Sequence, residues 1–144
     1  MDVNVDKKKL YDSLSHFQGV VEKRNTIPIL SNLKLKALDG KLEITATDLA
    51  LEITESIFAN VNKSGELTIP SQLLFDIVRK APEKSKIEMR EESDSGQVFI
   101  FFGDSKFSLP YLPTSDFPEM QEENLENNFE LEAKKFRYLI NDCK

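Results

Sequence analysis

The sequence predicts an α+β protein built from two β-α-β-β-β units, and three observations predict it. Apolar residues alternate along residues 33–37 and 42–46, as they do in half-buried strands. Asp39-Gly40 lies between these runs and suits a type I′ hairpin turn, where both central residues have positive φ. A short strand followed by a helix then recurs 64 residues later. Repeated units bury their faces on one another, so we expect antiparallel sheets with both helices on one face.

The first unit opens with a short strand through Val3 and Val5. Asp6 is a natural N-cap for a helix beginning at Lys7 and ending near Gly19. The apolar stripe that this helix should bury contains Leu10, Leu14, Phe17 and Val21.

The hairpin of the first unit is followed by a predicted third strand. Leu49, Leu51 and Ile53 should point to one face of this strand. Ala59 and Val61 keep the same alternation, so the strand is either long or bends.

The second unit repeats this order. Leu67 and Ile69 form its short strand, Pro70-Ser71 starts its helix, and Pro82 stops that helix. Its remaining strands lie near residues 87–89, 98–102 and 107–109, separated by turns at 94–96 and 103–104. The helices correspond at the 64-residue offset, with Leu10, Tyr11 and Leu14 matching Leu74, Phe75 and Val78.

A third copy begins near the end of the sequence, where Phe129 and Leu131 match the short strand and Phe136 and Ile140 the helix stripe. It stops inside its helix, so we expect a piece of a longer protein. The predicted organisation is a first domain at 1–112, an acidic interdomain connector at 113–128, and the first strand and helix of a second domain at 129–144.

Charge is unevenly distributed along the chain. The formal net charge of −6 argues at first against a polyanionic partner. However, residues 6–24, 71–84 and 133–144 carry five Lys and Arg against three Asp and Glu, three against two, and four against one. The predicted helices are therefore the basic parts of an acidic protein, a field that could face nucleic acid or simply water.

Motifs for catalysis, metals or cofactors are not recognisable. His16 is the single histidine and Cys143 the single cysteine, which is too few for a zinc site or an internal disulfide. Turn positions explain Asp39, Asp94 and Asp104, and neither a P-loop nor a G-x-G-x-x-G motif occurs. We therefore expect no enzyme activity, no metal and no cofactor. Without a signal peptide or an apolar run of about 20 residues, a cytoplasmic protein with no membrane partner fits best.

One resemblance is specific. An arginine shortly before T-I-P-I-L-S-N-L, the D-G hairpin, A-T-D-L-A-L-E-I, L-T-I-P-S-Q-L-L-F-D-I and F-S-L-P-Y-L-P-T-S-D-F-P together cover most of the chain. This set resembles the first domain of the bacterial DNA polymerase III β subunit family, the replicative sliding clamps. The resemblance implies the DNA clamp fold and a non-catalytic processivity factor, in which two chains close a ring around duplex DNA and tether a polymerase.

The resemblance also implies site residues and partners. Arg24 corresponds to an arginine that touches duplex DNA on the inner side of the ring, without reading sequence. Weaker DNA-binding candidates are the basic helix residues Lys7, Lys8, Arg79, Lys80, Lys134 and Arg137. Candidates for the subunit interface are Lys106, Phe107 and Leu109 on the last strand, with Gln72 and Leu73 where many relatives have two basic residues. The partners implied for the full-length homodimer are DNA polymerase III and the clamp loader.

A second interpretation stays open from the residues alone. The protein could be a non-catalytic α+β protein-interaction module without a DNA role, whose basic helices are merely solvated. The isolated chain should be monomeric or weakly associated. The groove that takes clamp-binding peptides should lie outside it. Whether the reading frame continues with further double units separates the two interpretations.

Overall fold

A computed structural model describes residues 1–21, 27–119 and 130–142. In these ranges the strands are β1 Asp2–Asp6, β2 Asn32–Leu38, β3 Lys41–Thr47, β4 Glu52–Phe58, β5 Asn60–Lys63, β6 Gly65–Pro70, β7 Lys86–Glu92, β8 Gln97–Phe102 and β9 Ser105–Pro110. The α-helices are α1 Lys7–Phe17, α2 Ser71–Lys80 and α3 Ala133–Asp142, and short 3-10 helices lie at Pro28–Ser31 and Thr114–Asp116. The predicted α+β class is confirmed.

The strands form two antiparallel sheets, and the two repeat units exchange their first strands between these sheets. One sheet has the order β5-β1-β7-β8-β9 and the other β4-β3-β2-β6. Strand β1 of the first unit thus pairs with β7 of the second, from Asp2 opposite Arg90 to Asp6 opposite Lys86. Strand β6 of the second unit pairs with β2 of the first, and Leu35 lies opposite Leu67. Each unit therefore completes the sheet of the other.

The two matched helices lie against each other and share one core with both sheets. The predicted stripe residues Leu10, Leu14, Leu74 and Val78 are all fully buried, as are inward residues of both sheets. Tyr11 of α1 stacks on Phe75 of α2 with ring centroids 5.5 Å apart. Packing both helices into the one core confirms the predicted placement.

The first hairpin turns where the sequence predicts it. Asp39 has φ 51° and Gly40 has φ 73°, as a type I′ turn requires. Leu38 pairs with Lys41 directly across this turn. The twist of such a turn matches that of the flanking strands, so it fixes the register of the hairpin.

The predicted start of the third strand is wrong. Leu49 and Leu51 lie in a turn and are half exposed, and β4 begins only at Glu52. The Asp48 carboxylate accepts the Ala50 and Leu51 N–H groups at 2.9 and 2.7 Å. These side-chain bonds compete with the strand ladder and reverse the chain early, leaving Leu49 at φ 78°.

The question of a long or bent strand is answered by a bend at Ala59. Strand β4 pairs with β3, whereas β5 crosses to the other sheet and pairs with β1. Strands β4 and β5 therefore form one continuous segment that supplies an edge strand to each sheet.

The ends of α1 differ from the prediction in detail. Asp6 occupies the N-cap position, but its side chain makes no capping hydrogen bond. The first N–H of the helix, that of Lys7, instead donates to the Ser85 carbonyl at 3.0 Å. The helix ends at Phe17, two residues before the predicted stop at Gly19.

The described part of the predicted connector is packed on the first domain. Leu112 forms an antiparallel bridge with Thr68, and Phe117 is buried in a small cluster with Ile29 and Leu30. The ammonium of Lys34 donates to a Glu119 carboxylate oxygen at 2.8 Å, which raises the pKa of Lys34 and lowers the pKa of Glu119. Residues 113–119 are therefore held in place.

Helix α3 exposes apolar side chains. Phe136, Leu139 and Ile140 are each about half exposed, whereas the corresponding stripes of α1 and α2 are buried. Phe129 and Cys143 lie outside the described residues. Among the residues that are described, no helix is long and apolar enough to span a membrane.

Candidate nucleic-acid interface and subunit edge

The outward faces of α1 and α2 form one surface, which we call the helix face. Its exposed cations are Lys8, Lys9, Arg79 and Lys80, and Asp12 is its exposed acidic residue. The segregated charge predicted from the sequence is therefore presented at the surface by two adjacent helices.

Lys7 differs from the other basic candidates on α1. The residue is only 8% exposed, and its ammonium lies 4.8 Å from the centre of the Tyr11 ring. Lys7 falls on the same side of the helix as Leu10 and Leu14, which explains its burial. The sequence alone did not distinguish it from Lys8, which is exposed.

The exposed cations differ in how much they are engaged by neighbours. The ammonium of Lys9 lies 5.9 Å from the centre of the Phe58 ring, and Arg79 forms an ion pair with Asp76 at 3.6 Å. Within the described ranges, Lys8 and Lys80 form no ion pair with a carboxylate. These two are therefore the helix-face cations most available to an external anion.

Arg24 lies outside the described residues. The chain leading to it is described and is held to α1, because the Val20 and Val21 N–H groups donate to the Phe17 carbonyl at 3.1 and 3.2 Å. In the sequence, Arg24 follows the helix that carries Lys8. Lys134 and Arg137 are exposed on α3.

His16 has a structural partner that the sequence did not reveal. Its Nδ1 lies 2.8 Å from Glu55 Oε1, and the Ser13 hydroxyl donates to the other oxygen of Glu55 at 2.8 Å. These contacts join α1 to β4. Glu55 lies 39 residues beyond His16, so no local pattern could have indicated the pair.

Strand β9 is an open edge of its sheet. It pairs with β8 on one side and ends the strand order on the other. The edge of the second sheet at β6 is partly covered, because Thr68 and Leu112 exchange two backbone hydrogen bonds of 2.9 Å. Open edges are places where another strand can pair.

The register shows which β9 backbone groups face outward. The Tyr111 N–H donates to the Gly96 carbonyl, and hydrogen-bonded positions alternate along an antiparallel pair. Phe107, paired with Ile100, therefore bonds β8, as do Ser105 and Leu109. Lys106 and Ser108 direct their N–H and C=O groups to the open edge. Pro110, the next outward position, has no N–H.

The side chains of β9 are divided between the two faces of the sheet. Leu109 is 5% exposed and Phe107 stacks on Phe102 at 5.4 Å, so core packing accounts for both. On the opposite face, the Lys106 ammonium lies 4.3 Å from the centre of the Phe99 ring. What this edge offers to another strand is therefore its backbone N–H and C=O groups.

The remaining interface candidates lie in the first turn of α2. Gln72 Nε2 donates to Asp76 Oδ1 at 3.0 Å, one turn along the helix. Leu73 is 47% exposed. Neither residue carries a charge, so this turn can offer only polar and apolar contacts.

A metal centre is not formed by the part of the chain that the structure describes. No group of three or more His, Cys, Asp or Glu residues there is arranged to hold an ion. What the geometry offers is a basic helix face and an open strand edge.

Comparison with known proteins links this chain to one family. The profile of the family described as DNA polymerase III beta subunit, N-terminal domain, matches residues 1–121. The beta sliding clamp of Caulobacter vibrioides is 38% identical over 144 residues, which are 100% of this chain and 39% of that protein. The beta sliding clamp of Escherichia coli K12 is 33% identical over 141 residues, 97% of this chain and 38% of the relative.

Solved structures of the same kind of protein share the fold. A sliding clamp from Bartonella birtlesii bound to griselimycin superposes with a TM-score of 0.90 at 41% identity, covering 97% of this chain and 37% of that one. A Pseudomonas aeruginosa sliding clamp bound to griselimycin gives a TM-score of 0.92 at 33% identity, covering 98% and 38%. The chain thus spans about two-fifths of the length of these proteins.

Proposed function

Because this chain belongs to the DNA polymerase III beta subunit family, we propose that it forms the first domain of a sliding clamp. In the full-length protein, two chains would close a ring around duplex DNA in the cytoplasm. The ring would tether the replicative polymerase and be placed on DNA by the clamp loader. The chain itself would catalyse nothing; the polymerase that it serves performs the chemistry.

The observation that carries this proposal is the helix face. Two adjacent helices present four exposed cations, while the chain as a whole has a formal charge of −6. Such a surface attracts a phosphate backbone locally, and the rest of the protein repels it. A ring held on DNA by closure needs few phosphate contacts, and many would slow its movement.

Among the DNA-binding candidates, the structure favours those with free, exposed ammonium groups. Lys8 and Lys80 meet this condition, and Arg24 follows the helix of Lys8 in the sequence. Lys7 is disfavoured because its stem is buried and its ammonium lies over Tyr11. Contacts of this kind position DNA without reading its sequence.

The open edge of β9 is proposed as the site of ring closure. A strand from the third domain of the other subunit would pair with the outward backbone groups of Lys106 and Ser108. Buried Phe107 and Leu109 support that edge from within. The organisation that we propose keeps 1–112 as the first domain, 113–128 as the connector and 129–144 as the start of the second domain.

DNA retention by the full-length protein tests the helix face. Lys8→Ala should weaken retention on circular duplex DNA at moderate salt, with a smaller slope of retention against salt concentration and no change in sequence preference. The matched control is Lys36→Ala, since Lys36 is an exposed cation on β2, whose core-facing neighbours are Leu35 and Ala37. Equal losses in both variants would contradict a specific role for the helix face.

Ring closure is tested at the β9 edge. Ser108→Pro removes an outward N–H and leaves the backbone bonds to β8 in place, and proline is tolerated on edge strands. The hydrogen bond from the Ser108 hydroxyl to Gln97 Oε1 is lost equally in Ser108→Pro and Ser108→Ala. The subunit dissociation constant should rise about tenfold, the equivalent of one backbone hydrogen bond left unmade. Ser108→Ala keeps that N–H and should behave as wild type. Unchanged dimerisation in Ser108→Pro would refute the pairing.

The alternative function, a protein-interaction module without a DNA role, predicts a different result. The full-length protein would then show no preference for circular over linear DNA. The 144-residue chain alone should remain unclosed in either case, with duplex affinity no better than about 10⁻⁴ to 10⁻⁶ M at physiological salt. Light scattering of this chain and retention of the full-length protein on both DNA forms separate the two.

A further inference from the structure

Phe58 is an exposed aromatic residue at the end of β4. It is 71% exposed, more than any other large apolar residue in the described ranges. It pairs with Lys41 across β3 and β4, just before the chain bends at Ala59 into β5. Its neighbour Ile57 packs against the core, whereas the Phe58 ring does not. Core packing therefore does not account for the aromatic ring at this position.

Two lysines from different elements lie beside this ring. The ammonium groups of Lys9, in the first turn of α1, and Lys41, at the start of β3, each lie 5.9 Å from the ring centre. Both residues are exposed, so their side chains can turn from the ring to a ligand. Within the described part of the chain, neither forms an ion pair with a carboxylate. Their charge is therefore available to an anion that approaches the ring.

A cleft of about 400 Å³ opens beside Phe58. Its lining includes Asn4, Asn60 and Lys86, whose side chains carry hydrogen-bond donors, and one acidic residue, Asp6. Together with the two lysines at the ring, the described charged residues of this surface are three lysines and one aspartate. The surface thus combines an exposed aromatic ring with an excess of positive charge.

The ring decides which anionic ligand uses this surface fully. Duplex DNA would meet the lysines but not the ring, because its bases stack on one another. An acidic peptide matches the charge, but its carboxylates gain nothing from an aromatic face. A single strand offers both groups, since an unpaired base stacks on an aromatic side chain while the adjoining phosphates bind cations. Lys9 also belongs to the helix face, so this surface adjoins the proposed path of duplex DNA.

We propose that Phe58, Lys9 and Lys41 form a binding site for single-stranded DNA. One unpaired base stacks on the Phe58 ring, and the phosphates on either side of it contact the two ammonium groups. Every base has a π face, so the site accepts any sequence. Its place at the margin of a duplex path rests on the proposed clamp function, and there it would hold a strand that leaves the duplex.

NMR titration of the 144-residue chain tests the stack. The probe is an eight-nucleotide oligothymidylate, and the control strand has the same backbone without bases. The oligothymidylate should shift the amide signals of residues 41 and 58. Phe58→Ala should raise its dissociation constant about tenfold, as expected for the loss of one base–aromatic stack, and should leave the affinity for the abasic strand unchanged. Phe58→Tyr keeps an aromatic ring and should bind as wild type does.

Three results would overturn the site. They are equal affinity of wild type and Phe58→Ala for the oligothymidylate, equal affinity of wild type for both strands, and displacement of the oligothymidylate by octaglutamate at equal concentration. The last would indicate a surface that selects charge alone, as for an acidic protein partner. Circular dichroism should show unchanged helix content in Phe58→Ala, because the side chain is exposed.

Retention of the full-length protein on circular duplex DNA separates this site from the clamp function. Phe58→Ala should be retained as wild type is, because the stack requires an unpaired base. If wild type shows no preference for circular DNA but the oligothymidylate results hold, the proposed function fails and the site stands. If wild type is retained but Phe58→Ala binds the oligothymidylate normally, the clamp stands and the site is wrong.

Discussion

Gly65→Ala should destabilise the fold, because Gly65 lies against the first residue of the chain. A Cβ atom at this position would lie 2.9 Å from the Met1 nitrogen and 3.1 Å from the Met1 Cα. Both are backbone atoms, so no side-chain rotation could relieve the clash. Met1 is itself held, since its amine donates to Glu91 Oε2 at 2.6 Å and its carbonyl accepts the Glu91 N–H at 2.9 Å.

Two contributions set the expected magnitude. Gly65 is partly exposed, but the Met1 that its Cβ would strike is buried, and overpacking a buried group costs about 1–3 kcal/mol. Displacing Met1 also weakens its ion pair with Glu91, whose side chain is 21% exposed, and partly exposed pairs contribute about 0.2–1 kcal/mol. The free energy of unfolding should therefore fall by about 1–4 kcal/mol.

Urea unfolding followed by far-ultraviolet circular dichroism measures this, because the chain has no tryptophan to report by fluorescence. The matched control is Gly19→Ala, since an added Cβ at Gly19 meets no atom within 4 Å. That variant should stay within about 0.5 kcal/mol of wild type. A Gly65→Ala protein as stable as Gly19→Ala would refute the packing argument.

Three further changes are expected to alter stability in defined directions. Leu74→Ala, at a fully buried position, should lower the free energy of unfolding by about 2–5 kcal/mol. Its control, Leu73→Ala at a half-exposed position, should change that free energy by less than about 0.5 kcal/mol. Similar urea midpoints for the two variants would contradict this. Leu49→Gly should raise the thermal midpoint, because Leu49 has φ 78° and little to lose from burial; a lower midpoint would show that its side chain packs. Burial acts to raise the pKa of Glu91, but hydrogen bonds from the Met1 amine and the Tyr111 hydroxyl hold that pKa below its usual value. A carboxylate whose pKa is lower in the folded than in the unfolded state stabilises the fold at pH values above its unfolded-state pKa. That stabilisation is lost as the pH falls through the folded-state pKa. Acid unfolding of Glu91→Gln should therefore depend less on pH than that of wild type.

Local signals were predictable from the sequence, and the structure shows why. The Asp39-Gly40 turn and the apolar stripe of α2 depend on neighbours within a few residues. The late start of the third strand was missed because the Asp48 side chain competes with the backbone ladder, which alternation alone does not report. At such positions a clear apolar alternation in the sequence does not mean that the residues form a strand.

The candidate sites were predictable only in part. The basic helices follow from composition, but the burial of Lys7 and the availability of Lys8 depend on how α1 sits against the core. The β9 edge depends on the order of strands from distant parts of the chain, which no local pattern contains.

The exchange of first strands has a consequence for how such a domain can arise and fold. A single β-α-β-β-β unit could not complete its own sheet, because β1 belongs to the sheet of the second unit and β6 to the sheet of the first. A half-length ancestor would therefore have been stable only as an intertwined pair, and joining two copies would have turned an association between molecules into an internal one. Cutting the chain between β5 and β6 should recreate that situation: neither half should fold alone, and mixing them should restore the fold at a rate that depends on their concentration.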